Sequence, residues 1–330
     1  MKIEAVAFTD AGMALGRRLQ AAEEDLTLYR CGGGALRTWT QDAFARSDAL
    51  VFIGATGIAV RAVAPLIRSK AEDPAVVVID EKGTFAVPIL SGHLGGANEL
   101  ARRLAGAVGA LPVITTATDV NGRFAVDEWA RRQKLAVANP ERIKWISARI
   151  LAGETIRVKS LYPVSGALPE QVKLSETEYD VLISHRSRGR AESLRLVPRI
   201  VTAGIGCKKG TSPEAIEAAL VAALGKAGCH ELALSAVATI DRKAAEPGLA
   251  EVCRRRGVPL VCYTAAELAA VEGAFTASAF VEKTTGVDNV CERAAVRQSG
   301  GRLISRKEAG NGVTVALALG ETDLSWEGQL

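Results

Sequence analysis

The sequence predicts an α/β protein. A mostly parallel sheet with flanking helices lies toward each end, with a small αβ domain between them. Three observations carry this. Short β-branched or aliphatic runs at 49–53, 76–79, 85–90 and 199–205 read as buried parallel strands. Helical apolar spacing follows at 58–67 and 94–108, so strand and helix alternate as in βαβ units. Gly-rich turns stand where strand gives way to helix. At 330 residues the chain holds two or three domains, placed at 1–135, 136–198 and 199–330.

In chain order, 3–8 is a strand, and Thr9 or Asp10 caps a helix running to Glu23. A strand at 26–29 ends in Cys31-Gly32-Gly33-Gly34, a flexible loop rather than a phosphate cradle, since no Gly-Lys-Ser/Thr follows. A short helix at 39–46 precedes the strand at 49–53, which ends in Gly54-Ala55-Thr56-Gly57. Pro65 breaks the next helix, whose Arg61 is either a carboxylate clamp or a surface arginine. Asp80-Glu81-Lys82-Gly83 follows 76–79, and Ser91 to Asn98 follows 85–90. Glycine there permits positive φ and close ligand approach, and a helix start favours anions. Such turns gather at the carboxyl edge of an open sheet, so all three are expected to line one crevice.

The strand at 111–114 leads to Thr115, Thr116, Thr118 and Asp119 in a turn. A helix follows at 124–133, where Asp127 and Glu128 complement its dipole. After a helix at 140–151, alternation at 155–161 and a run at 181–184 mark a loop-rich middle domain. Its His185, Arg186, Arg188 and Arg190 form a basic cluster: a loop surface, a nucleic-acid contact or a lid over an acidic substrate. Gly204-Ile205-Gly206-Cys207-Lys208-Lys209-Gly210 is an anion site or a structural turn with solvated lysines. Its third glycine falls one residue late for a dinucleotide fingerprint. Cys207 is a buried thiol, or a nucleophile if its lysine neighbours depress its pKa. Thr211 to Glu214 reads as a capping box. Strands at 236–240, 258–263 and 313–319 alternate with helices at 248–256 and 287–298, and Trp326 begins a loose tail.

A net charge of +4 without a Lys/Arg block, and only 5% aromatics, argue against nucleic acid and suit a polycarboxylate ligand. No apolar stretch is long enough to cross a bilayer, and Glu4 inside the first apolar run argues against a signal peptide. Six cysteines without a C-x-x-C pair, and three histidines, give a zinc site little support; reduced thiols suit the cytoplasm.

The motifs GATGIAVRAVAP, DPAVVVIDEKG, SGHLGGANELA and TTATDVNGRFAVDEWA resemble the amino-terminal part of the CbiG-type cobalt-precorrin-5A hydrolases of anaerobic cobalamin biosynthesis. GIGCKKGTSPEAIEAAL and EKTTGVDNVCERAA resemble that family's carboxyl-terminal domain. The resemblance runs from residue 50 into the 320s and is weakest over 133–198. It implies a cytoplasmic enzyme that opens the ring A δ-lactone of cobalt-precorrin-5A with water. Acetaldehyde is released and cobalt-precorrin-5B remains. It implies no cofactor and no protein-bound metal, because the cobalt belongs to the substrate. The partner is that cobalt-corrinoid; neighbouring pathway enzymes and a second copy of the chain stay open, and no nucleic acid or membrane is expected.

Hydrolysis needs a base for water and donors for the oxyanion. On the motif positions, His93 is the first candidate for acid/base work, with orientation of the turn as its alternative. Glu81, Asp80 and Glu99 are alternative bases, and the N–H groups of Gly95 and Gly96 are oxyanion donors. Ser91, Thr56, Asn98 and Thr116 are further donors, Ser91 counted with the catalytic set. Arg61, Lys82, Lys208 and Lys209 would meet carboxylates, and Gly54, Gly57, Gly92, Asp119, Gly206 and Cys207 complete the binding set. Two other functions compete: a non-catalytic corrinoid carrier, and a nucleotide-dependent oxidoreductase using the Gly204 turn.

Overall fold

The computed structural model describes every residue except Gly33, Lys70, Ala71 and 328–330, so Gly33 of the predicted loop and the last residues of the predicted tail lie outside the described residues. The chain forms two compact units, residues 1–132 with 143–154, and 133–142 with 155 onward.

The first unit is built on a six-stranded sheet of β1 (Ile3–Ala7), β2 (Leu26–Arg30), β3 (Ala49–Ile53), β4 (Ala75–Ile79), β5 (Phe85–Leu90) and β6 (Leu111–Pro112). Their order is β2-β1-β3-β4-β5-β6. The first four are parallel. β5 turns back along β4, with Ile79 opposite Ala86 and Val76 opposite Leu90, and β6 runs parallel to β5. The cause is local. Residues 80–84 are too few for the crossover a parallel strand needs. Asp80 then fixes the hairpin: its carboxylate accepts from the N–H groups of Lys82 (3.0 Å), Thr84 (2.8 Å) and Phe85 (2.5 Å).

Four helices cover this sheet: α1 (Asp10–Ala22), α2 (Leu36–Arg46), α3 (Thr56–Val63) and α4 (Ala97–Val108). Thr9 caps α1 by accepting from the Gly12 N–H at 3.0 Å. Ala5, Val51, Ile53, Val77 and Ile79 pack with Leu15, Leu19, Leu100 and Leu104 of α1 and α4. Val6, Leu50, Phe52 and Val78 pack on the other face with Ala43, Ala59 and Val63 of α2 and α3. Successive strand residues alternate faces, so burial on both faces requires the continuous apolar runs seen in the sequence. α3 stops at Val63 and tightens into a 3-10 turn at Ala64–Leu66, where Pro65 lies. α5 (Ala117–Val120) and α6 (Val126–Arg132) follow β6, and residues 143–151 of α7 (Glu141–Leu151) also belong to this unit.

The second unit carries two larger sheets. The middle segment supplies β7 (Leu135–Val137), β8 (Ile156–Ser160), β9 (Val164–Ser165), β10 (Val172–Leu174), β11 (Val181–Ile183) and β12 (Leu194–Pro198). Five of them form a sheet in the order β10-β8-β11-β12-β7, parallel except for β7. The other sheet joins β13 (Val201–Cys207), β14 (Leu234–Ile240), β15 (Leu260–Tyr263), β16 (Arg302–Gly310) and β17 (Val313–Leu319) in the order β15-β14-β13-β17-β16. Its first three strands are parallel, and the β16–β17 hairpin adds antiparallel. β16 was not expected, because Arg302, Arg306, Lys307 and Glu308 hide any strand alternation. Around it lie α8 (Pro213–Lys226), α9 (Pro247–Arg256), α10 (Ala265–Ala269), α11 (Ala279–Thr285) and α12 (Cys291–Ser299).

Three local expectations change. Ser212, not Thr211, caps α8 by accepting from the Ala215 N–H, and Pro213 occupies the first turn. The tail is not loose up to Trp326: β18 (Leu324–Ser325) pairs with β9, the Trp326 N–H donates to the Ser165 carbonyl at 2.8 Å, and the indole is buried. The motif around Cys291 builds structure. Glu292, fully buried, accepts from the Thr276 N–H and hydroxyl and from the Lys307 N–H, tying α12 to a loop and to β16.

Candidate active site

The reversal of β5 decides where the site can be. Gly54 to Gly57 leave the carboxyl end of β3, and Glu81 and Lys82 lie in the hairpin at the same end of β4. The turn after β5 lies at the opposite end, where the Ser91 hydroxyl donates to the Asp73 carbonyl at 2.9 Å, just before β4 begins. The expected single crevice of three turns is therefore wrong within this unit. Gly54, Thr56, Gly57, Arg61, Glu81 and Lys82 share one sheet edge, whereas Ser91, Gly92, His93, Gly95, Gly96, Asn98, Thr116 and Asp119 share the other. At the first edge, Glu81 and Lys82 are exposed and Arg61 lies over Gly57.

The second edge holds the denser cluster of candidate residues. A Cβ on Gly95 would meet the Ser91 Cβ at 2.4 Å, and one on Gly92 would meet the Asn98 amide at 2.8 Å, so the turn closes only with glycine at both. The Gly96 N–H donates to the His93 carbonyl at 2.9 Å and is thereby withdrawn from the expected oxyanion role. The Ser91 hydroxyl is likewise committed to Asp73. Asn98, on the first turn of α4, donates to the Thr116 hydroxyl at 2.9 Å and to Asp119 at 3.2 Å.

His93 sits between carboxylates. Its Nε2 lies 2.7 Å from Asp119 and 4.0 Å from Glu128, and its Nδ1 lies 3.2 Å from Asp127. Burial alone would lower its pKa, but Asp127 and then Asp119 overcome that and push it up to about 9. At neutral pH both ring nitrogens carry protons. Of the acid/base role expected for His93, this state fits the acid half. Asp119 is held below the usual carboxylate range: burial would raise it, but His93 and Arg102 outweigh that.

The cluster extends along α4 and α6. Arg102 pairs with Asp119 and reaches Glu128 at 3.6 Å, Arg132 pairs with Glu128 at 2.8 Å, and Arg131 pairs with Glu99. Arg102, Asp127 and Glu128 were missed as site residues, although Asp127 and Glu128 were visible as first-turn acids. Nothing in local spacing signals that α6 folds back onto the turn after β5. His93, Asp119 and Glu128 offer ligand atoms within 4.8 Å of one another, a gathering the sequence did not suggest. Arg102 and Arg132 already meet those carboxylates, and both His93 nitrogens face acids, so the charge is balanced by the chain itself.

In the second unit the turn at 204–210 is satisfied internally. The Gly210 N–H donates to Glu246 at 2.7 Å, and Glu246 pairs with Lys243 at 2.9 Å, so a protein carboxylate takes the place expected for an anion. Lys208 and Lys209 are exposed, the Lys208 stem lying over Gly312. Burial pushes the Cys207 thiol up, which removes the depressed pKa a nucleophile needs. Gly206 leaves open space where a Cβ would stand, with only Thr314 at 3.9 Å.

Fold and site define an α/β protein whose first unit centres on a buried carboxylate–imidazolium–carboxylate group. Two family profiles match: Cobalamin synthesis G N-terminal over residues 38–119, and Cobalamin synthesis G C-terminus over 201–318. The cobalt-precorrin-5A hydrolase of Salmonella typhimurium is 37% identical over 337 aligned positions, covering 94% of this chain and 95% of that protein. The one from Priestia megaterium is 33% identical over 90% of this chain and 84% of its own length. A solved cobalamin biosynthesis protein G homolog from Sulfolobus solfataricus aligns over 97% of both chains, at 24% identity and a TM-score of 0.42. This chain belongs to the CbiG family.

Proposed function

We propose that this chain is a cobalt-precorrin-5A hydrolase, opening the ring A δ-lactone with water and releasing acetaldehyde to leave cobalt-precorrin-5B. The observation that carries the reading is its similarity, over nearly the whole of both chains, to a protein of that activity. The acid–histidine group supplies proton chemistry of the right kind. Glu128 Oε2, whose His93 contact is as long as 4.0 Å, is the carboxylate oxygen assigned to accept a proton from water. His93, protonated below about pH 9, takes the acid half of the expected role at Nε2. Once the lactone opens, the freed hydroxyl on the bridging carbon loses its proton. The carbon–carbon bond breaks, acetaldehyde leaves, and the conjugated macrocycle accepts the electron pair. In this reading no separate cofactor enters and the cobalt travels with the substrate. The cytoplasm is the setting; among the described residues no helix is long and apolar enough to cross a membrane.

The test is acetaldehyde release from cobalt-precorrin-5A by wild type and by His93→Ala. Wild type turns over, and the variant loses about a hundredfold or more, the scale of general acid–base catalysis. Wild type that binds the lactone without yielding acetaldehyde refutes the hydrolase reading and favours a carrier. An unimpaired variant refutes only the part given to His93.

A further inference from the structure

The second unit holds another histidine in an opposite electrostatic setting. Tyr162 follows β8 and His185 follows β11, so both stand at the carboxyl edge of the parallel middle sheet, where ligands of such sheets bind. The Tyr162 hydroxyl bonds His185 Nδ1 and accepts from the His185 N–H at 3.2 Å. A hydroxyl can donate and accept at once, so Tyr162 can give its proton to Nδ1 and leave Nε2 as an N–H donor. Among the described residues Nε2 meets no protein partner.

Burial holds the His185 pKa down, and the positive charges of Arg186 and Arg302, both exposed residues, act on it in the same sense. Among the described residues neither guanidinium meets a carboxylate, whereas Arg30, Arg46, Arg102, Arg131, Arg132 and Arg293 each do. The backbone here is fixed rather than lid-like. The His230 N–H donates to the His185 carbonyl at 2.7 Å, the Ser187 N–H donates to the Gly228 carbonyl at 2.8 Å, and Arg186 bridges Cys229 between them. The Arg186 N–H donates to the Ser184 hydroxyl at 3.0 Å, and Arg195 donates to the Arg186 carbonyl at 2.7 Å. A neutral imidazole donor beside two uncompensated guanidiniums, on a backbone tied at four points, is organised to receive an anion.

We propose that His185, Arg186 and Arg302 form a binding site for a peripheral carboxylate of the corrinoid. The identity of that ligand rests on the hydrolase reading above. Arg186 and Arg302 pair with the carboxylate, the His185 Nε2–H donates to it, and Tyr162 holds the ring in the tautomer that does so.

The full chain is titrated with a cobalt-corrinoid whose side chains are free acids and with its amide-capped counterpart, neither carrying the lactone. Wild type binds the acid more tightly. Arg186→Ala and Arg302→Ala each reduce that preference about tenfold, the scale of a charged hydrogen bond, and Arg186→Lys recovers part of it. Arg188→Ala, a neighbouring charge outside the site, keeps the wild-type ratio. Wild-type affinity for the acid in both alanine variants overturns the proposal, as does a wild type that binds neither probe. Acetaldehyde release by wild type, measured alongside, separates the two readings: its loss sinks the hydrolase and leaves the titration readable.

Discussion

Replacing His93 by asparagine should cost stability in a way that depends on pH, and the structure sets the size. The imidazole moves from an ordinary 6.5 to about 9 on folding, with only 11% of its side chain exposed. A raised pKa means that the folded chain binds the proton more tightly. The contribution is therefore complete below pH 6.5 and is lost as pH rises through about 9. That shift corresponds to roughly 3 kcal/mol. At pH 6 the variant also leaves the Asp119 and Asp127 carboxylates facing an uncharged amide, so its deficit is greatest there. Urea unfolding of both proteins at pH 6, 8 and 10, followed by circular dichroism, gives the difference in stability at each pH. Groups common to both cancel, including His185 and His230, whose lowered pKa values act in the opposite sense at low pH. The gap between wild type and variant should narrow by roughly 3 kcal/mol from pH 6 to pH 10. A gap constant over that range refutes the imidazolium, and with it the acid role of His93.

Two further outcomes follow from the fold. Glu128→Gln should lower acetaldehyde release about a hundredfold, while Glu81→Ala, exposed at the far sheet edge, should leave it unchanged; the same turnover assay reads both. Glu292→Ala should destabilise the second unit by about 3 kcal/mol in urea titration, because the N–H groups of Thr276 and Lys307 and the Thr276 hydroxyl lose their buried acceptor.

Most elements were legible because burial on both faces writes strands as uninterrupted apolar runs and helices as spaced ones. β1 to β4, α1, α8 and α9 fall where those patterns stand. The strand β16 was not legible, since its charged residues serve ion pairs such as Lys226–Glu308 rather than alternation. Trp326 was discounted for its position near the end of the chain, whereas its burial depends on a partner strand far away in sequence. The direction of β5 could have been read. Five residues between two apolar runs permit a hairpin and forbid a crossover, whatever the composition of the turn. Ser91, His93 and Asn98 are neighbours by sequence, in one turn and one helix start, whereas Thr116 and Asp119 come from the segment after β6 and meet them through Asn98 and His93. Arg102, Asp127 and Glu128 were not counted with them, because their role depends on α6 packing back toward α4.

The hairpin also changes what the first unit can do to a substrate. β4 has five residues, so the two sheet edges are separated by ~16 Å at the usual rise per strand residue. A proton carrier must lie within hydrogen-bonding reach of the atom it serves. Glu81 and His93 therefore cannot act on one lactone, and balanced, buried charge is what favours the His93 edge in the proposed reading. At that edge Asp119, Asp127 and Glu128 surround a ring nitrogen pair, and Arg102 and Arg132 keep the carboxylates from repelling one another. Such a group can take up a proton at one oxygen and give up another at the imidazolium without changing its net charge. Ester hydrolysis asks for that pair of transfers, and an exposed lone glutamate on the opposite edge does not provide it.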